Sequence, residues 1–532
     1  MREMPKVKST LYFNANILTQ QEGKPVASAM LVEGNKIMAV GNFADVSLKK
    51  KQDTLMVDVE GKTILPGFND AHIHVWKVGQ LKSFIIDLRG VESIDALQKK
   101  VKRVADDLPP GTWITGRGFN EQVLREKRMP VKEDLDVIST AHPIYLIRTC
   151  AHIATTNSLA LNLAGITNAS IAPAGGVIGK TVVGEVNGIF YETALGLISK
   201  VIPPITKGDY QQMILAGALM MMDYGITSAT DPAVHPELLG AYLELDEENK
   251  LPIRINLMPI LLPDGGSAPY PVPEKYYSDF ASLNTVKFFS DGGLSGKTAA
   301  LKSSYKNSNE KGVLRLIREE FLMLSREAQQ KGLRIGTHAI GDVAIDLVID
   351  VYKSLYAEFG DTRNRIEHFG LPSEQNIQDV KKFGFVPVPQ PIFLNELGEN
   401  FRNSLNDDYL NRCYPVKSLL KNGIKVALST DAPVVKNINP WSCIKAAVCR
   451  RSNEDNPIAF HEAITVQEAI YAYTMGSAYA EGQEEKKGSL ETGKFADFII
   501  VDKNPMKIPV DELDSIKVET VYIGGTCVKN NE

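Results

Sequence analysis

The chain predicts an α/β fold: a (β/α)8 TIM barrel, a small β domain drawn from both chain ends, and an inserted α/β subdomain. Three observations predict it. From about Gly225 onward, short apolar runs alternate with helix-length amphipathic segments. Residues 1–64 and 482–532 both read as short strands separated by turns. Between the first barrel strand and the second lies a stretch far longer than an ordinary βα connection.

In chain order, "STLYFNANILT", "ASAMLVEGNKIMAVG" with an Asn-Lys turn, and "TLMVDVEGKTILPG" supply the N-terminal strands. "ADFIIVD" and "VETVYIGGTCV" supply the C-terminal ones, and edge strands need partners, so the two ends are expected to pair. The first barrel strand lies in "TILPGFNDAHIH". Seven more follow in "GITSATD", "IRINLMPI", "TVKFFSD", "LRIGTHAI", "RIEHF", "FVPVPQ" and "KVALSTD". Helices are expected in "VLRLIREEFLMLSREAQQKG" and "DVAIDLVIDVYKSLYAEF", and the methionine run "MILAGALMMMDYG" has the spacing of a core helix. The domain bounds that follow are 1–64 plus 482–532, 65–77 plus 208–481, and an insertion at 78–207. Within the insertion, "SIDALQKKVKRVADDLPPGTWITGRGF" reads as helix then strand, and "HPIYLIRTCAHIATTNSLALNLAGI" as strand, exposed polar turn and helix. Emerging at the strand C-terminal ends, it is placed to act as a lid.

Composition narrows the function. The 59 basic and 64 acidic residues leave a net charge of −5 with no long run of either sign, which disfavours nucleic acid and membrane surfaces and favours a small-molecule substrate. "MREMPKVKSTLYFNAN" lacks the apolar core of a signal peptide, and no apolar run reaches ~18 residues, so a cytoplasmic location is expected. Five cysteines without a CxxC read as reduced, mostly buried thiols. A homodimer is the expected assembly.

The chemistry gathers at one predicted rim. His72 and His74 in "LPGFNDAHIHVW" would share one face of a strand. His338 closes "RIGTHAI", His368 closes "RIEHF", and Asp431 closes "KVALSTDAP". Singly each histidine reads as structural, but imidazoles and a carboxylate converging from distant strand ends make a site for Zn2+ or a similar divalent ion. Lys287 in "NTVKFFSDGG" has apolar strand neighbours, so its amine would be desolvated and its pKa lowered. A neutral amine can add CO2, and the resulting carbamate has two oxygens able to bridge two metals. The bland alternative is a lysine snorkelling from a strand end.

These residues together resemble the amidohydrolase superfamily, in its amidohydrolase family 3 branch, which includes the N-substituted formamide deformylases. The resemblance runs through "LPGFNDAHIH", "LDVISTAHPIYLIRTCAHIATTNSLAL", "VKFFSDGGLSGKTA", "THAIGDVAIDLV", "RIEHF", "LSTDAPV" and "GSLETGKFADFIIVD". It implies a distorted (β/α)8 barrel, a β-sandwich made from both chain ends, and a metal centre. It also implies that His72 and His74 hold the more buried metal, carbamylated Lys287 bridges, His338 and His368 hold a second metal, and Asp431 completes the site. One or two Zn2+ ions are expected, with Mn2+, Co2+ or Fe2+ also acceptable to these ligands.

The expected reaction is hydrolysis of a non-peptide amide-type C–N bond in a small molecule. A divalent ion lowers the pKa of bound water toward ~7, and Asp431 takes the water's proton and returns it to the departing amine. His152 is expected to bind or polarise substrate, the alternative being a turn histidine; relatives commonly carry glycine where this chain has Ala151, after Cys150. Asp291 and Gln390 are substrate-binding or supporting candidates, Asp342 a helix cap, and His142, His235 and His461 structural. "GGVIGKT" and "GGLSGKT" are each one residue short of a phosphate loop. Two rivals remain: a deaminase of a small aminated ring, which Lys287 opposes, and a non-catalytic scaffold, which the complete ligand set opposes.

Overall fold

The computed structural model describes residues 9–149, 152–263 and 268–530. The chain divides into two compact units, one of Met1–Val75 with Ala218–Glu532 and the other Trp76–Gly217.

In the larger unit the two chain ends do pair. Phe498–Val501 runs antiparallel to Thr63–Pro66, with Phe498 opposite Pro66 and Val501 opposite Thr63, inside a six-stranded sheet. A four-stranded sheet of Lys36–Gly41, Ala29–Glu33, Ser9–Phe13 and Leu55–Asp58 shares its core: Tyr12, Met30, Val32, Ile64, Phe498 and Ile500 form one buried cluster. These runs form strands because their apolar residues alternate or cluster on the face that meets the other sheet. The hairpin turn falls at Gly34–Asn35, not at the expected Asn-Lys pair, since Glu33 pairs with Lys36. Gly34 takes the positive φ of 57° that a tight hairpin turn asks of one of its residues.

The rest of this unit is built on parallel strands. Phe68–Asp70, Ile226–Val234, Arg254–Pro259 and Ala281–Leu283 lie side by side in one sheet, and Thr285–Phe289, Arg334–Ala339, Arg365–His368 and Val386–Val388 in another. A parallel bridge between Ile260 and Lys287 links the two. At the far side, Ala427 N donates to Pro387 O at 3.3 Å and Ala71 N to Leu428 O at 3.4 Å. The expected strand "KVALSTD" thus lies between two strands yet forms no ladder of its own. Its backbone partners are diverted: Thr430 donates its N–H to the Asp70 carboxylate, and Asp431 adopts a φ of +57°. "TILPGFNDAHIH" splits into Thr63–Pro66, in the sheet of chain ends, and Phe68–Asp70.

Helices follow strands as the sequence periodicity predicts. Asp342–Phe359 buries Ile345, Val348, Ile349, Tyr352 and Leu355 on one stripe. The helix expected from Val313 begins only at Arg318, because residues before it are held extended, Arg315 N donating to Ser290 O. The methionine run lies in helix Lys207–Asp223 with Met213, Met221 and Met222 buried.

The smaller unit carries a six-stranded sheet, in the order Gly176–Lys180, Val186–Glu192, Ile153–Thr156, Ile144–Arg148, Ile114–Phe119, Ile85–Asp87. Helix Ile94–Asp107 is capped by Ser93 and lays Leu97, Val101 and Ala105 against Ile114 and Leu146. The stretch read as a polar turn contains an inner strand, Ile153–Thr156, whose Thr155 and Thr156 are buried. Cys413 and Cys443 are buried thiols, but Cys449 is half-buried and Cys527 exposed; Cys150 and Ala151 lie outside the described residues. Among the described residues no helix is long and apolar enough to cross a membrane.

Candidate metal centre

His72 and His74 follow the strand that ends at Asp70 rather than lying in it. The chain bends at Ala71 and His72, and is held there as Ile73 N donates to Thr230 O (2.9 Å) and His74 N to Ala432 O (2.9 Å). Asp70 fixes this turn from beneath: its carboxylate accepts from His72 N, from Thr430 and from the Tyr473 hydroxyl. Burial raises Asp70 to about 6 against those stabilising hydrogen bonds.

Asp431 meets both imidazoles. His72 Nε2 lies 3.5 Å and His74 Nε2 3.3 Å from Asp431 Oδ1. The three side chains are buried, and among the described residues they bring one ligand atom each within 4.8 Å of one another, a set able to hold a metal ion. Burial pushes the Asp431 carboxyl up, but its interactions with His72, His74 and Lys287 prevail and hold it below the ordinary carboxylate range. His74 Nδ1 lies 3.9 Å from Asp231 Oδ1.

The other expected ligands close on the same place. The His72 and His368 ring centres are 5.0 Å apart, and those of His368 and His338 are 4.3 Å apart. Each ring has one nitrogen committed to the protein: His72 Nδ1 to Glu367 Oε2 at 2.6 Å, His368 Nδ1 to Gln390 Oε1 at 2.7 Å, and His338 Nε2 to Gly292 O at 3.1 Å. That is the arrangement of metal-ligating histidines, whose second nitrogen is fixed by an acceptor behind it. His338 Nδ1 has no hydrogen-bond partner among the described residues. Burial lowers His72, and it lowers His368 well below the ordinary imidazole value, helped there by its neighbouring cations. Both shifts favour the neutral ring, the form that ligates metal.

Lys287 is completely buried on strand Thr285–Phe289. Its Nζ has no hydrogen-bond partner among the described residues and sits 4.8 Å over the Phe289 ring. Burial lowers its pKa to about 8, against the pull of Glu367 and Asp431. A lone buried ammonium is costly, and conversion to a hydrogen-bonding or ligating anion relieves that cost. The orphaned amine, the orphaned His338 nitrogen and the His72–His74–Asp431 set all fit a divalent metal.

Two residues sit behind the site. Gln390 accepts from His368 and donates to Val388 O and Ser429 Oγ, so its amide is spent on orienting the ring. Asp291 accepts from the N–H groups of Ala300, Ile340 and Gly341, and its Oδ1 lies 3.3 Å from His338 Nε2. Asp342 is not the cap: Gly341 holds that position, and the Asp342 carboxylate accepts from Lys302 N, Tyr409 and Arg412. His152, in the smaller unit, is exposed and pairs with Glu192 at 2.9 Å. His142 is tied to Ser139 and two backbone carbonyls, His235 caps helix Pro236–Glu247, and His461 is exposed.

Sequence reading missed Glu367 and Arg365. Both are fully buried and form a two-point ion pair, Nε to Oε1 at 2.7 Å and Nη2 to Oε2 at 3.0 Å. Their spacing carried the signal, since an Arg and a Glu two apart in a strand without exposed residues must face inward together.

A family model for the amidohydrolase family matches residues 55–529. The chain belongs to the amidohydrolase family. Among its relatives, protein LONG AFTER FAR-RED 3 of Arabidopsis thaliana is 29% identical over 98% of this chain and 91% of its own length. The N-substituted formamide deformylase of Arthrobacter pascens is 27% identical over 98% of each chain. The crystal structure of an uncharacterized metal-dependent hydrolase from Pyrococcus horikoshii superposes with a TM-score of 0.79 at 26% identity, covering 95% of this chain and 99% of that one. Family membership makes this a metal-dependent hydrolase of the amidohydrolase type.

Proposed function

We propose that the protein hydrolyses a non-peptide amide-type C–N bond of a small molecule. The observation that carries this reading is Lys287, a wholly buried amine with no hydrogen-bond partner among the described residues, close enough to act electrostatically on His72, His368 and Asp431. In this reading His72, His74 and Asp431 would hold one metal, His338 and His368 would hold a second, and Lys287 as a carbamate would supply a further oxygen ligand. Zn2+ suits the donor set. A divalent ion there supplies acidity to water and polarises a carbonyl oxygen. Asp431 accepts the proton of the attacking water and delivers it to the amine nitrogen as the C–N bond breaks. Glu367 and Gln390 keep the His72 and His368 rings turned toward the site. The similarity to an N-substituted formamide deformylase supports a C–N bond as the target.

The same reading takes the parallel strands as a distorted (β/α)8 barrel closed through residues 425–430, and the sheets of chain ends as a β-sandwich. The hydrogen bonds from Ala427 and Ala71 and the shared core cluster support it. A cytoplasmic homodimer acting on a free small molecule completes the proposal.

The test combines metal analysis of metal-replete protein with a panel of N-formyl, N-acyl and cyclic amides, scoring amine and ammonia separately. Retained metal and released amine are expected. Ammonia from an aminated ring would replace this reading with a deaminase, and absence of both metal and turnover would sink it. Lys287→Ala should lower metal content and turnover together; full retention of both would remove the carbamate.

A further inference from the structure

Tyr414 plays no part in the reading above, yet the fold goes to unusual lengths to hold it. The residue lies between helices Asp407–Arg412 and Val416–Lys421, with a φ of +49° that bulky side chains rarely adopt. Its N–H donates to Gly370 O at 2.7 Å, two residues beyond His368. Its carbonyl accepts from Arg450 Nη1 at 3.0 Å, the Cys413 carbonyl accepts from Nη2 at 2.8 Å, and Ile458 O from Nε at 3.1 Å. Arg450 is itself fully buried, so a whole desolvated guanidinium is committed to backbone carbonyls that fix Cys413 and Tyr414.

The ring is placed as firmly. Tyr414 stacks on Phe401 at 6.3 Å and meets Phe393 edge-on at 6.1 Å, and Phe393 stacks on the His368 ring at 6.2 Å. The side chain is completely buried and its hydroxyl has no hydrogen-bond partner among the described residues. Burial, with the nearby charges of Asp431 and Asp291 adding to it, pushes the phenol far above its ordinary value, so the group remains an O–H donor. Phenylalanine would fill the same space without burying an unsatisfied donor. A strained, clamped tyrosine with a spare donor, one ring removed from His368 through Phe393, is the pattern of a group held for a substrate.

We propose that Tyr414 contacts substrate in this site, its hydroxyl donating a hydrogen bond to the carbonyl oxygen of the scissile amide as negative charge builds there. The proposal rests on the hydrolase reading and adds an oxyanion donor to it.

The experiment compares Tyr414→Phe with the wild type, both as full chains loaded with metal. Metal content should be equal and Tm equal or higher, because the lost hydroxyl stabilised nothing in the fold. Turnover of a cleaved amide should fall about 10²-fold in kcat, the usual loss of one oxyanion donor. Affinity for benzohydroxamate, a carbonyl-bearing probe, should fall about ten-fold by calorimetry. A lowered Tm with unchanged kcat would assign the hydroxyl to the fold and overturn the proposal, as would unchanged kcat with unchanged hydroxamate affinity. A wild type that cleaves no amide would sink the hydrolase reading; a drop in hydroxamate affinity would still support the contact.

Discussion

Glu367 accepts hydrogen bonds from Arg365 and from His72 Nδ1, so one buried carboxylate both neutralises a buried guanidinium and sets the tautomer of an expected metal ligand. Burial alone would raise its pKa; Arg365, His72 and Lys287 instead hold it well below the ordinary carboxylate range. Glu367→Gln keeps the shape but loses the charge that orients the ring. Metal affinity should fall about 10- to 100-fold, read by competition with a chelator, and unchanged affinity would remove Glu367 from the support of His72. At this scale the sequence exposed Lys287, because a cation among apolar strand residues stands out. It did not expose Tyr414 or Asp70, whose surroundings come from segments far away in the chain. Nor could it show that His368 and Asp431 take φ values of +70° and +57°. Such backbone costs roughly 1–3 kcal/mol each and persists only when neighbours impose it.

Strand ends and the turns after them aim the ligands. After Arg334–Ala339 the chain turns under the Asp291 carboxylate, which accepts from Ile340 N at 3.1 Å and Gly341 N at 2.8 Å. Gly341 is required by space: an added Cβ would run into the Ala300 backbone, which has no side-chain freedom to yield. Gly341→Ala should therefore destabilise by about 1–3 kcal/mol in urea unfolding, and a stability equal to wild type would show that this turn is loose. The smaller unit has its own determinant in Glu121, which pairs with Arg148 through Nε at 2.6 Å. That hydrogen bond lowers the Glu121 pKa from 4.5 to about 2. A depressed carboxylate contributes stability that is full above its unfolded value and disappears as pH falls through the folded one. Acidification from 4.5 to about 2 should thus weaken the wild type more than Glu121→Gln, followed by limited proteolysis of residues 76–217. Equal acid sensitivity would contradict the assignment. Element by element, helix Asp342–Phe359 was legible because its apolar stripe is continuous, whereas the start at Arg318 was not, since a tertiary hydrogen bond holds residue 315 extended.

Within the larger unit, one ion pair ties the parallel strands to the strands of the chain ends. Arg254 on Arg254–Pro259 reaches Asp497, beside Phe498–Val501, through Nε at 2.6 Å and Nη2 at 2.9 Å, and its guanidinium lies 3.8 Å over the Phe495 ring. Both partners are nearly inaccessible, so removing one leaves the other buried and unpaired. Arg254→Ala should cost about 3–5 kcal/mol in denaturant unfolding, with Asp497 as the orphan; a loss below ~1 kcal/mol would show that the two layers do not depend on the pair. By itself, the sequence determined the α/β alternation and the pairing of the two chain ends, and singled out the histidines, Lys287 and Asp431 as candidates, because periodicity and residue chemistry are local properties. Only the tertiary structure decided where the end strands pair, that residues 425–430 lie between strands without forming one, and which acceptor stands behind each histidine. Those outcomes depend on hydrogen bonds between residues hundreds of positions apart, such as His72 with Glu367 and Thr430 with Asp70. No local pattern records which distant carboxylate will fill a buried donor's need.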